Sequence, residues 1–131
     1  MILVLDTNAY RDWRRAGTWH ENLALAERII VPVTVLGELD FGFIKGSETA
    51  ENRRRLQHFL AQRQVEISRP GEQTAAFYVE FRFYLQQKGK AIPANDIWIA
   101  ASAVEHQGSL AACDGHFDEL PMVKKAMAIV A

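Results

Sequence analysis

Residues 1–10 read MILVLDTNAY. Four apolar side chains, Ile2–Leu5, run without alternation and stop at a carboxylate, Asp6. An unbroken apolar run of this length predicts a strand covered on both faces, the usual state of a strand in a parallel sheet. An acid at its carboxyl end either starts a turn with Thr7 and Asn8 or points into the crevice where such sheets bind ligands.

The same reading extends along the chain. RIIVPV at 28–33 is a second buried strand, with Pro32 marking its end. QVEI at 64–67 is a weaker one, SLAAC at 109–113 is short and built of small residues, and AMAIV at 126–130 is a candidate last strand. Between them lie helical patterns. Thr34 is placed to cap a helix reaching about Ile44, with Leu36, Leu39 and Phe43 on one side and Gly46 past its end. Residues 49–63 form a charged helix with Leu56, Phe59 and Leu60 inward. IPANDIWIAASAVEHQG predicts a helix from about Ala94 to Gln107, ended by Gly108.

One segment reads two ways. In TAAFYVEFRFYLQQKG, Phe77, Val79, Phe81, Phe83 and Leu85 alternate as in a strand. Phe77, Phe81, Tyr84 and Leu85 also share a helix face, and β-branched residues are nearly absent after Thr74, so helix is expected. Strands alternating with helices predict an α/β domain with a parallel sheet, and 131 residues are the length of one domain, 1–131.

Composition narrows the function. The net charge of −1 supplies no global field for nucleic acid, so such binding requires a local basic patch. Cys113 is the only cysteine, which excludes an intrachain disulfide and suits a reducing compartment. No basic segment precedes the short apolar run, and no stretch is long enough to span a membrane, so a cytoplasmic protein is expected.

Four acids stand in comparable settings. Asp6 and Asp114 each follow a strand, Glu38 lies early in the helix leaving the second strand, and Asp96 lies in the first turn of the helix before SLAAC. Each has a plain alternative: Asp96 favours the helix dipole, Glu38 fits a solvated helix face, and Asp114 before Gly115 makes a turn. Convergence at one end of one sheet is the more economical reading. Clustered carboxylates repel unless a cation offsets them, and an oxygen-rich site suits Mg²⁺ or Mn²⁺ and phosphodiester hydrolysis. His116 is near Asp114 and either supports the site from behind or is structural.

VLDTNAY, VPVTVLGELDFG around Glu38, IPANDIWIAASAVEHQG around Asp96, and DGHFDELP together resemble a PIN domain of the VapC type, over nearly the whole chain. The resemblance implies a three-layer α/β/α fold with a parallel sheet of about five strands in order 3-2-1-4-5, which sets the first and fourth strands side by side. It implies a metal site of Asp6, Glu38, Asp96 and Asp114, with Asn8 orienting it through hydrogen bonds. It implies a Mg²⁺- or Mn²⁺-dependent endoribonuclease toxin acting on RNA, structured RNA such as transfer RNA among the substrates. A homodimer and a cognate antitoxin, whose basic side chain enters the acidic crevice, are expected with it. Ala112 stands where many relatives carry threonine, and His116 where many carry a further acid.

Arg11, Arg14 and Arg15, at i, i+3 and i+4, would face one way on a helix, at the mouth of the crevice, and either grip RNA phosphates or form a solvated face. The excess aromatics Phe77 to Tyr84 are core, with some left to face a partner, and Cys113 reads as a small core residue. A phospho-acceptor receiver would need paired acids after the first strand, and an aspartyl-phosphate phosphatase would need Asp where Asn8 stands. A non-catalytic RNA- or protein-binding module of the same fold is the remaining alternative.

Overall fold

The computed structural model describes residues 1–113 and 115–130. The apolar run at the start forms β1 (Ile2–Leu5), and Asp6 turns the chain directly into α1 (Thr7–Ala16). There follow α2 (His20–Leu25), β2 (Arg28–Pro32), α3 (Val33–Lys45), α4 (Thr49–Leu60), β3 (Val65–Ser68), α5 (Glu72–Gln87), α6 (Ala94–Glu105), β4 (Ser109–Ala111) and a 3₁₀ turn over Gly115–Glu119.

The sheet is parallel, in order β3-β2-β1-β4. β1 lies inside it, with Leu3 beside Ile29 on one flank and Ser109 on the other. Leu3, Val4 and Leu5 are fully buried, as an unbroken apolar run requires. Each such side chain contributes about 1.5–3 kcal/mol relative to exposure. β4 approaches β1 because residue 108 is glycine: a Cβ there would stand 3.0 Å from the Cγ2 atoms of both Ile2 and Val4.

The order agrees with 3-2-1-4-5 up to the fourth strand, but the described residues form four strands. The expected strand at 126–130 does not form; a single bridge, Leu110 to Lys125, stands just before it. β4 is only three residues long and offers little edge to pair with. Beyond Ala126 the tail's backbone turns to Asn22 of α2. Asn22 Nδ2 donates to Met127 O, and Ile129 N donates to Asn22 Oδ1, both at 2.9 Å.

Residues 72–87 are helix, with Thr74, Phe81 and Leu85 buried and Val79 and Phe83 exposed. The alternation that suggested a strand therefore mixes core and surface positions. Thr34 is not a cap. Pro32 ends β2 and α3 starts at Val33 with no intervening loop, which leaves Thr34 inside the first turn. That abrupt exit brings Glu38 near the sheet's carboxyl edge. α3 packs on α1, α4 and α6, and α5 packs on α6.

Candidate active site

Asp6 is the hinge between β1 and α1. Its backbone is extended, and its carboxylate Oδ1 accepts the Ala9 N–H at 2.7 Å, capping the helix. The residue is 4% exposed. An anionic cap at a helix N-terminus is favourable because the first N–H groups lack partners and carry partial positive charge.

Glu38 reaches the same region from α3. Thr7 Oγ1 donates a short hydrogen bond to Glu38 Oε1, and Asn95 Nδ2 of α6 stands 3.5 Å from Oε2. Asp96 arrives in the first turn of α6, set by Pro93, whose carbonyl accepts the Asp96 N–H at 3.0 Å. His116 Nδ1 lies 2.7 Å from Asp96 Oδ2, so the 3₁₀ turn holds this carboxylate from outside.

Three of the four expected acids thus line one cleft. It encloses about 330 Å³ between Asp6, Glu38, Asp96, Arg11, Phe41 and His116. Asp114 lies outside the described residues. Asn8 lines the cleft and is exposed, and among the described residues its side chain makes no hydrogen bond. Contact with Glu38 falls instead to Thr7 and Asn95. Sequence reasoning passed over both, since only the crossing of α1, α3 and α6 brings them there.

The chemistry of the donors suits a hard divalent cation. Carboxylates from three elements face one opening, with no thiolate and a single imidazole, the pattern that favours Mg²⁺ or Mn²⁺ over zinc or copper. Among the described residues, no group of three His, Cys, Asp or Glu side chains gathers closely enough to hold an ion. The cleft fits the cation by donor type, with the fourth acid outside the described set.

The arginines of α1 differ from one another. Arg11 borders the cleft and reaches Glu38 O at 3.5 Å. Arg14 is braced by Tyr10 Oη at 3.1 Å, by Arg55 O at 3.2 Å and by the Trp13 ring, whose centroid is 4.1 Å away. Arg15 pairs with Asp12 at 2.8 Å. Cys113, expected in the core, is exposed because β4 ends at Ala111. Desolvation around the sulfur, and after it the nearby Asp12 carboxylate, push the thiol up, away from a reactive thiolate.

Comparison with known proteins agrees with the fold. The family model of the PIN domain matches residues 3–122. Ribonuclease VapC2 of Rickettsia felis is 32% identical over 115 residues, covering 84% of each chain. The crystal structure of VapBC2 from Rickettsia felis, bound to a DNA fragment from their promoter, superposes with a TM-score of 0.86 at 28% identity, over 98% of this chain and 100% of that one. FitAcB from Neisseria gonorrhoeae superposes with a TM-score of 0.72 at 27% identity, over 96% and 97%. A parallel sheet in this order, carboxylates from the β1–α1 hinge, α3 and α6 at one edge, and a match across nearly the whole chain lead to one assignment: the chain belongs to the PIN-domain family, in its VapC-type branch.

Proposed function

We propose that this protein is a metal-dependent endoribonuclease toxin of the cytoplasm, kept silent by a cognate antitoxin. The observation that carries the reading is the shared cleft of Asp6, Glu38 and Asp96. These three, with Asp114, would hold Mg²⁺ or Mn²⁺. The bound ion supplies an activated water and stabilises charge on the phosphoryl oxygens.

The protein's own residues do the rest. Thr7 and Asn95 restrain the Glu38 carboxylate, and His116 restrains Asp96. Asn8, at the rim, orients the site through hydrogen bonds to bound groups. Arg11, Arg14 and Arg15 meet phosphates of the RNA, structured RNA such as transfer RNA being the substrate class this reading favours.

The test is cleavage of total cellular RNA by the purified protein in Mg²⁺ and in EDTA, with fragment ends mapped. Cleavage in Mg²⁺ alone is expected. Asp6→Asn and Asp96→Asn should each lower it at least ~10²-fold, since each removes a charge that holds the ion or its water. RNA retained but uncut in Mg²⁺ would mean a binding module instead.

The reading extends to control. A basic side chain of the antitoxin would occupy the acidic cleft, so partner and cation compete. Saturating partner should suppress both metal binding and cleavage; unchanged metal affinity would refute this mode of silencing. Self-association into a homodimer belongs to the same reading and is checked by light scattering.

A further inference from the structure

A second depression adjoins the acid cleft. It encloses about 480 Å³ between α1, α3 and α4, and its walls include Arg11, Arg14, Arg15, Arg55, Tyr10 and Phe43. That volume falls within the range of ~300–1,000 Å³ typical of sites for drug-sized ligands, the size of a single nucleotide. Arg11 borders both spaces, so they meet at its guanidinium.

The charges here are unequal. Arg15 is tied to Asp12, and Arg55 to Glu51 at 3.1 Å. Arg11 and Arg14 pair with no carboxylate among the described residues: their partners are carbonyls, a phenol and aromatic rings. Two full positive charges therefore face a groove in a chain whose net charge is −1. Arg14 is also fixed in advance. A guanidinium held by a phenol, a carbonyl and an indole face loses little freedom when it takes a ligand, and its remaining donors match the fork geometry of a phosphate.

Arg11 has a seat of its own. A Cβ on Gly42 would lie 2.8 Å from the Arg11 Nη2, so only glycine at 42 leaves room for the guanidinium where it stands. The seat sits between the acid cleft and the Arg14 groove.

We propose that this groove is a subsite for single-stranded RNA, in which Arg11 and Arg14 bind successive phosphates of the strand leaving the acid cleft. The proposal rests on the ribonuclease reading and adds the path of the strand. A regularly repeating anion suits the layout better than an acidic peptide. One phosphate can stand at the acid cleft with its cation while its neighbours reach Arg11 and then Arg14. A peptide that filled the acid cleft would do so with a basic side chain, displacing the cation instead of using it, and its carboxylates have no fixed repeat to match Arg11 and Arg14.

Binding of a short fluorescent single-stranded RNA, measured in EDTA across a potassium chloride series, tests it apart from cleavage. Each phosphate contact on a single strand contributes about 0.7 to the slope of log affinity against log salt. Arg11→Gln and Arg14→Gln should each flatten the slope by about that amount and weaken binding roughly tenfold, the worth of one charge-assisted contact. Arg53→Gln, whose wild-type guanidinium is engaged by Asp40 at 2.7 and 2.9 Å, should leave the slope unchanged. Gly42→Ala should weaken RNA binding while melting no lower than wild type, which separates a displaced Arg11 from a damaged fold. Unchanged slopes in both arginine variants, or wild-type affinity in Gly42→Ala, would overturn the subsite. So would variants that lose poly-glutamate binding yet keep the RNA slope, since the groove would then be a peptide site. Flattened slopes in a protein that cuts no RNA in Mg²⁺ would uphold the groove and sink the catalytic reading.

Discussion

The Asp6 carboxylate caps α1 through Ala9 and faces the cleft shared with Glu38 and Asp96. Two substitutions separate these roles. Asparagine caps a helix about as well as aspartate, whereas alanine forfeits roughly 1 kcal/mol. In EDTA, Asp6→Asn should melt at or above wild type, because it also removes a charge that two neighbouring acids repel. Asp6→Ala should melt roughly 3–6 °C lower than Asp6→Asn. Both should be inactive, and Mg²⁺ should raise the melting temperature of wild type more than that of either. Equal melting of the two variants would mean the cap contributes nothing. Asp6 was legible in the sequence because a buried run halts there. Thr7 and Asn95 were not: they meet Glu38 from 31 and 57 residues away, and no local pattern encodes such a meeting.

Pairs that join elements make the fold acid-sensitive. Arg28 of β2 grips Glu66 of β3 at 2.6 and 2.9 Å, and Arg53 of α4 grips Asp40 of α3. Hydrogen bonds from these arginines, and the attraction of their charge, hold Glu66 and Asp40 below the usual carboxylate range. Within α4, bonds from Arg54 first and Arg55 after it bring Glu51 from 4.5 to about 2. A carboxylate depressed in the fold stabilises it above its unfolded pKa and loses that contribution as pH falls through the folded value. Urea midpoints should hold steady from about pH 7 to 5 and drop below pH 4.5, the Glu51 share persisting toward about 2. Added salt should shrink the drop, since all three pairs are exposed. Glu66→Gln should remove part of it, and an unchanged acid profile in that variant would deny the β2–β3 pair any share.

The four strands and α3, α4 and α6 were readable because period and punctuation suffice for them, Ile2–Leu5 having a single reading; α5 took a choice between two periods, and α2, six residues long, left no pattern to read. The tail was not readable, because AMAIV has strand composition but meets a β4 of three residues. Asn22, 3% exposed, supplies what the missing ladder would have. Asn22→Ala should cost about 1–3 kcal/mol for the two backbone groups left unpaired, and the Ile129 amide should lose its protection from hydrogen exchange. Retained protection there would show that the tail is held by its apolar contacts alone.

At the scale of the molecule, β1 takes its two partners from very different distances along the chain. β2 follows within a few dozen residues, but β4 pairs with it only after the intervening helices, Leu3 meeting Ser109. Loop closure of that span makes such pairing slow, and parallel order adds to the delay. The acids follow the same schedule. Asp6 leaves the ribosome early, and Asp96 is made ninety residues later. At ~5–20 residues per second that gap is on the order of 5–20 s, before β4 is synthesised and can dock. During it the nascent chain holds β1, β2 and Glu38 but has no second wall for the cleft. If the proposed ribonuclease reading holds, a nascent chain that has not yet docked α6 and β4 lacks the Asp96 side of the site and should be inactive. Stalled chains released after residue 90 should cut no RNA, and full-length chains should gain activity at the rate at which β4 amides become protected.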